Sequence, residues 1–569
     1  MTVKPADLIY SVEENPPLGA TLLLAIQHLI IAVVYLVYPV IVVTEAGGSL
    51  RQATFAVQFS MLAIGIGTII QVRNSGPVGS GFLVPHVTTA AYLMPSIMAA
   101  RSGGLALVLG MTAVAGLFVV LISRFMNKLR VLFPPEVSGV VVAMIGFSLA
   151  KAAVSRFVGM GTAESVVNPL DLTVGGVTLG TMIALVVWSN GNLRLYSAAI
   201  GLAVGYGLSL LLGGFNAGAL TDMAEASLIA LPSWEHPGFK FDLYLIPPFL
   251  IGALASVFKA SGVVINCQKI NDPEWKRADM HSVGKGLLAD GIGCISAGLL
   301  GGAGTSMSAA NVGLSMATGA TSRRVGYFIG LFFILLVFLP KFSVVLTLMP
   351  LPVMGAGLLY VASFLIASGI QLIMTRMMDS RRTFIVGLSF LAGISVEVLP
   401  GLYQNLSSWA SPLFSSSLTM ATITAFTLNL IFRIGVSQKA FMELSREMDA
   451  GAEIYRFLEN QGAKWGARPQ VIHEAKHILR ELVEALFLHD KTRGPVHIEA
   501  LFDEYNLNIN ATYNGQPMEF PQSPPTEDEL MLDPGSLSRM SGFMIQFMAE
   551  KVTATVNSKI CKVSIHITH

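Results

Sequence analysis

A lysine inside an apolar run is the first residue in this sequence whose chemistry needs explaining. Lys259 lies within the stretch Phe249–Ile265. A charged side chain inside a bilayer span costs at least about 2.5 kcal/mol on insertion scales, so it is rare without a use. Either the ammonium faces a substrate cavity as a cation, or it snorkels or pairs near the inner end of its helix. Two stretches rich in Gly and Pro could supply its surroundings. One runs Gly76-Pro77-Val78-Gly79-Ser80-Gly81-Phe82-Leu83-Val84-Pro85, the other Gly301-Gly302-Ala303-Gly304-Thr305. Irregular backbone of this kind survives at membrane depth only where it lines a cavity or is buried in protein. If half-helices begin at Phe82 and Ser306, each N-terminus presents unpaired N–H groups and about half a positive charge. In this reading Asp290 and Glu397 fall elsewhere, so the balance around Lys259 favours an anion.

Several residues could complete such a site. Ser80, Gly81 and Phe82 stand at the first break, and Thr305, Ser306, Ser308 and Asn311 at the second. Their hydroxyl and amide groups either bind a ligand or knit helix packing. Gln27 and His28 in the first apolar run, and His86 after the first break, either contact substrate or brace the core. Phe82, Tyr92 and Phe258 either stack on a ring or fill space. Cys267, Cys294 and Cys561 have neither pairing pattern nor metal spacing and read as incidental thiols.

The elements that must hold these residues are bilayer spans. The chain is 53% hydrophobic and only 12% charged, with a mean hydropathy of +0.64. Soluble domains carry roughly 25% charged residues. The net charge of +1, without a basic stripe, leaves no footprint for nucleic acid. Apolar runs predict fourteen spans, near 18–43, 53–71, 78–99, 104–123, 135–154, 172–189, 196–213, 243–264, 284–302, 305–319, 325–348, 351–374, 383–399 and 415–434. With the N-terminus inside, fifteen Lys and Arg fall on the inner side and six on the outer. That positive-inside bias places both termini in the cytoplasm. Residues 1–16 show no cleavable signal, since Glu13 and Glu14 precede the first apolar run. Pro134-Pro135-Glu136-Val137-Ser138-Gly139 opens the fifth span, and Pro350-Leu351-Pro352-Val353-Met354-Gly355 opens the twelfth. The two interrupted spans, third and tenth, are also seven apart. An odd repeat inverts its second copy, and paired broken helices in inverted repeats point to a secondary transporter with its site at the midplane.

These residues together resemble the nucleobase–ascorbate transporter family of uracil and xanthine permeases and ascorbate carriers. Gln27-His28 is similar to the family's Gln-His pair. Asn311-Val312-Gly313 followed by Thr318-Gly319 resembles its signature of Asn-x-Gly, four residues, then Thr. Met349-Pro350-Leu351-Pro352-Val353-Met354-Gly355 with Ala367-Ser368-Gly369-Ile370 is similar to the twelfth span of uracil permeases. The likeness covers roughly residues 15–435. It implies an α-helical polytopic membrane protein of two inverted seven-span repeats, about 17–213 and 243–435, divided into core and gate domains. It further implies two short strands meeting at the breaks, substrate held between core and gate, elevator-like transport, and a homodimer in the inner or plasma membrane. No cofactor is implied beyond a coupling ion, H+ or Na+. Two positions depart from the family. Lys259-Ala260-Ser261-Gly262 stands where the family has Glu-x-x-Gly, and Ala310 stands where Gln, Glu or Pro precedes the Asn. The expected substrate is therefore nucleobase-like and anionic, a purine of the xanthine or urate type. The alternatives are a small organic or inorganic anion with Lys259 as counter-charge, or a ligand sensor with a soluble regulatory domain. The sequence contains no Walker motif and no enzyme constellation.

Residues 436–569 differ in composition. They hold 31 charged side chains in 134 residues, against 40 in the preceding 435. A helical stretch is expected from Lys439 to Leu488, broken near 462–469, then strands at 496–501 and 507–512, a helix near 538–552 and a strand near 561–567. This order resembles a degenerate histidine-kinase-like ATPase fold, with Glu481-Leu482-Val483-Glu484-Ala485-Leu486 similar to the helix before its first nucleotide box. The nucleotide loops are eroded to Tyr513-Asn514-Gly515-Gln516-Pro517 and Ser541-Gly542. The domain is therefore expected to dock, dimerise or regulate.

Overall fold

The structure, a computed structural model, describes the chain apart from residues 1–3, 127–133, 161–166, 190, 216, 274, 276–277, 375–377, 404–405, 407–413, 415, 433–437, 448, 468, 504–505, 527–534, 558–559 and 569. It forms two compact units, Met1–Asn429 and Leu430–His569. Of the basic residues used to orient the spans, Lys128, Arg130, Lys276, Arg277, Arg376 and Arg433 lie outside the described residues.

The first unit is helical. It begins with α1 (Leu18–Val33), α2 (Val37–Glu45) and α3 (Leu50–Val72), followed by strand β1 (His86–Thr88) and α4 (Leu93–Ser123). Next come α5 (Pro135–Phe157), α6 (Pro169–Trp188), α7 (Ser197–Leu211) and α8 (Ala217–Glu225). The second half holds α9 (Ile246–Asn271), α10 (Met280–Leu300), β2 (Thr305–Met307), α11 (Ala309–Thr318), α12 (Arg323–Leu336), α13 (Pro340–Thr347), α14 (Leu351–Ile373), α15 (Ser380–Val398) and α16 (Ser417–Phe432). Local chemistry sets the boundaries. A capping box between Ser49 and Gln52 opens α3, and Pro at the first turn opens α5, α6 and α14. Gly301 and Gly319, at φ of 103° and 62°, end α10 and α11 in the left-handed conformation.

Among the described residues, eight helical stretches are long and apolar enough to cross a membrane, or nine if the bent pair α12 and α13 counts as one. The eleventh span, expected as one run over 325–348, is bent by 84° between these two helices. Pro340 is the cause: it excludes helical backbone at Leu339, which sits at φ −111° and ψ 77°. The expected third and fourth spans join into α4, which carries a non-helical kink at Gly104.

Two sets of helices make up this unit. In one, α4 packs on α9 and α10, and α3 packs on α10 and α12. In the other, α5 packs along α14, with α6, α7 and α15 beside them. The α5–α14 contact is backbone to backbone. A Cβ on Gly139 would lie 2.6 Å from the Gly369 carbonyl oxygen, and one on Gly146 would lie 2.7 Å from that of Ala362. As the α5 number rises its α14 partner falls, so the helices run antiparallel. Small residues let helices approach where lipid supplies no hydrophobic drive. Gly139→Leu is expected to cost about 1–3 kcal/mol by overpacking, read as a lower melting temperature of the purified protein. Where α2 and α5 end, Glu45 joins the two sets: it pairs with Arg101 of α4 at 2.7 Å and with Arg156 of α5 at 2.6 Å.

The second unit holds a five-stranded antiparallel sheet. Its elements are β3 (Gln438–Leu444), α17 (Ala450–Trp465), α18 (Pro469–Leu488), β4 (Val496–Phe502), β5 (Asn506–Asn514), α19 (Ser536–Met548), β6 (Lys551–Asn557) and β7 (Ile560–Thr568), with strand order β3-β4-β5-β7-β6. The helix expected from Lys439 is instead strand β3. Ala440 and Leu444 are buried, and the segment pairs residue by residue with β4. Strand β6 takes residues expected at the end of a helix and pairs with β7. Gly515 lies against the Lys491 carbonyl and Gly542 against the Glu519 carbonyl, where an added Cβ would lie 1.8 and 1.9 Å from the oxygens. Both glycines are thus close backbone contacts.

Candidate functional site

Strands β1 and β2 pair antiparallel, His86 opposite Met307 and Thr88 opposite Thr305. Each strand runs straight into a helix start. After β1, Thr89 caps a single 3-10 turn, its Oγ1 accepting from the Ala91 N–H at 3.4 Å, and α4 follows. After β2, Ser308 caps α11, its Oγ accepting from the Asn311 N–H at 3.3 Å. The half-helices therefore begin at Ala90 and Ala309, later than the starts expected at Phe82 and Ser306. Residues 86–88 and 305–307 are taken up by strand pairing first.

A cavity of about 420 Å3 lies at these two helix starts, between the two helix sets. Lys259, Thr89, Ala91, Ser308 and Ala310 line it from the α3–α4–α9–α10 side. Lys259 Nζ donates to Thr89 Oγ1 at 3.0 Å, which uses one of its three protons. Gly252 allows this reach: a Cβ there would lie 2.7 Å from the Ala91 carbonyl, so α9 sits against the helix start. Lys259 is seven residues on, two turns along the same helix face. Tyr360 and Phe364 of α14 line the opposite wall, their rings 5.0 Å apart and 61° tilted. Tyr35 and Tyr38 close a further side. Arg194, in the short turn between α6 and α7, also lines the cavity. Among the described residues, no carboxylate does.

Of the residues proposed from sequence, Lys259, Ser308 and Ala310 line the cavity. Asn311 and His28 stand one layer behind, both fully buried. His28 Nδ1 lies 2.9 Å from Asn311 Oδ1, and Asn311 Nδ2 donates to Ser308 Oγ at 3.0 Å. An amide oxygen only accepts, so Nδ1 carries the proton in this pair. Ser308 Oγ receives two hydrogen bonds from Asn311, which leaves its own proton for a ligand. Gln27 is half-buried with its Oε1 unpartnered, and Phe258 is buried; neither lines the cavity.

Ser80, Gly81 and Phe82 lie outside the cavity. Ser80 Oγ accepts from Gln71 Nε2 at 2.7 Å, and the Gly81 carbonyl accepts from Arg323 Nε at 2.5 Å. The extended residues 83–85 and β1 separate this corner from the helix start, so Thr89 and not Ser80 lines the cavity. Asp290 also differs from expectation. It lies at the strands, accepting from Met307 N–H at 2.8 Å and Ser306 Oγ–H at 3.2 Å, close enough to Lys259 for their charges to interact. It satisfies the outer edge of β2 and, when ionised, is a counter-charge to Lys259 from behind the cavity wall. Among the described residues, no group of three His, Cys, Asp or Glu could hold a metal.

Residues 19–402 match the sequence profile described as "Permease family", for xanthine and uracil permeases. The chain is 30% identical over 441 residues to the xanthine permease XanP of Escherichia coli K12, covering 75% of this chain and 95% of that protein. It is 26% identical over 416 residues to the uric acid permease PucK of Bacillus subtilis 168, covering 72% and 95%. In fold it is similar to the transmembrane domain of the cyanobacterial bicarbonate transporter BicA, with a TM-score of 0.52 at 15% identity, covering 74% of this chain and all of that one. It is similar as well to murine Slc26a9 in an inward-facing state, with a TM-score of 0.53 at 10% identity, covering 77% and 72%. At these identities the structural likeness is one of fold alone.

Proposed function

We propose that this chain, which belongs to the nucleobase–ascorbate transporter family of xanthine, uracil and uric acid permeases, is a secondary transporter of anionic purines of the xanthine or urate type. The observation that carries this reading is the cavity's charge. Lys259 and Arg194 line it, two helix N-termini meet it, and among the described residues no carboxylate faces it. Ammonium, guanidinium and N–H groups are all donors, so they suit a ligand rich in acceptors and negative charge. Size and wall chemistry argue for a ring. Ligand cavities run from about 300 to 1,000 Å3, and four aromatic side chains line this one. A small inorganic anion is the second reading, favoured by the same positive charge.

The two helix sets fit the roles of moving core and fixed gate, with the cavity between them, and this supports an elevator-like movement. Counting both half-helices, the short α7 and α16, and α15 as spans gives the fourteen of two inverted repeats. The reading includes cytoplasmic termini, a homodimer, coupling to H+ or Na+, and a docking or regulatory role for residues 436–569.

Thermal stabilisation of the purified full chain tests the substrate. A ligand that binds the folded state raises its melting temperature by mass action. Urate and xanthine are expected to stabilise it, and sulfate, bicarbonate and ascorbate to leave it unchanged. Stabilisation by sulfate or bicarbonate alone would replace the purine reading with the small-anion one. Purine binding without uptake into proteoliposomes would make the protein a sensor.

A further inference from the structure

The geometry points to Arg194 as a second anion-recognising residue, placed on the gate wall opposite the core lysine. The inference rests on the purine reading above and adds a specificity determinant to it. Arg194 lies in the turn Gly191–Tyr196 between α6 and α7. It lines the cavity and is itself exposed. The end of α5, where Arg156 and Glu45 pair, is the opposite end of the unit, because α6 runs back from there to Arg194.

Three observations separate Arg194 from an ordinary surface arginine. Among the described residues it makes no hydrogen bond or ion pair. The neighbouring polar groups are already engaged with each other: Ser197 Oγ and Tyr360 Oη lie 2.7 Å apart. The cavity's other cation, Lys259, is already partnered by Thr89 and has Asp290 behind it. Among the described residues Arg194 therefore has five donor protons and no acceptor. A guanidinium matches two adjacent acceptors in one plane. A singly deprotonated oxopurine offers acceptors at both ends of a flat ring, so Lys259 and Arg194 hold it from opposite walls. A neutral purine gains little from either cation. Arg194 thereby selects the anion over the neutral base.

Isothermal titration of the detergent-purified full chain with urate, an anion at neutral pH, and hypoxanthine, neutral there, tests this. Arg194→Gln is expected to weaken urate binding about tenfold or more while leaving hypoxanthine within about twofold, since hydrogen bonds to charged groups are the strong ones. Arg194→Lys is expected to fall between, keeping charge without the fork. The ligand-free melting temperature of Arg194→Gln should equal wild type, because no bond is lost. Undiminished urate binding by Arg194→Gln, or an equal loss for both ligands, overturns the assignment while leaving the purine reading intact. A wild type that binds neither purine overturns the purine reading and this assignment with it.

Discussion

Lys259→Glu is expected to abolish binding of anionic purines, by about a hundredfold or more, and to turn the site's preference towards neutral or cationic bases. The substitution changes a donor-only cation into an acceptor-only anion at a charged position on the cavity wall. Lys259→Ala is the milder test. It removes a charge-assisted hydrogen bond, worth about 1.5–3 kcal/mol, so urate affinity should fall about tenfold or more. Thr89 keeps its bond to the Ala91 N–H in both variants, so the half-helix start should survive. Titration with urate and hypoxanthine reads both outcomes. Unchanged affinity in both variants would sink the role assigned to Lys259.

The second large effect is expected at Asp290, which never touches the cavity. Asp290→Ala leaves the Met307 N–H buried without an acceptor, which costs about 1–3 kcal/mol. It also frees Ser306 and removes the charge behind Lys259. Because β2 leads directly into Ser308 and α11, a loosened strand displaces Ser308, Ala310 and the helix start together. Purine binding should fall at least as far as in Lys259→Ala, with a lower melting temperature that Lys259→Ala does not share. Asp290→Asn keeps one acceptor oxygen and should recover much of the stability but less of the binding. Wild-type stability and binding in Asp290→Ala would mean that β2 is held by its pairing with β1 alone.

Much of this arrangement is legible in the residues. Glycine-rich breaks, a lysine in an apolar run and proline-opened helices are signals that lie next to each other in sequence. The positions that moved are those fixed by pairing at a distance. Ser80, Gly81 and Phe82 stand at the break itself, but β1 must pair with β2 before a helix can start, which hands the cavity-lining place to Thr89. One signal did carry that answer: Thr89-Ala90-Ala91 and Ser308-Ala309-Ala310 are the same hydroxyl-Ala-Ala unit, each capping a helix start. Asp290 and Arg194 had no such sign. Each is a charge near an apolar run, and only the packing of α10 on the strands, and of the α6–α7 turn on the cavity, gives it a role. In the second unit, the strand over 438–444 is hidden in sequence because its outward side carries Lys439 and Glu443, which suit a helix equally well.

Lys259 and Asp290 ride on neighbouring helices, α9 and α10, of the same set. In an elevator movement they would cross the membrane's electric field together, and when both are ionised their opposite charges offset. The empty carrier then moves almost no charge, whereas the carrier loaded with a monovalent anion moves one negative charge. One elementary charge across 100 mV is worth about 2.3 kcal/mol, close to a fiftyfold gradient. A cell that is negative inside therefore drives such a carrier towards efflux, unless each anion enters with at least one cation. In the proposed elevator movement Arg194 belongs to the other helix set and adds nothing to that charge movement. Voltage dependence of uptake would consequently count the co-transported cations directly.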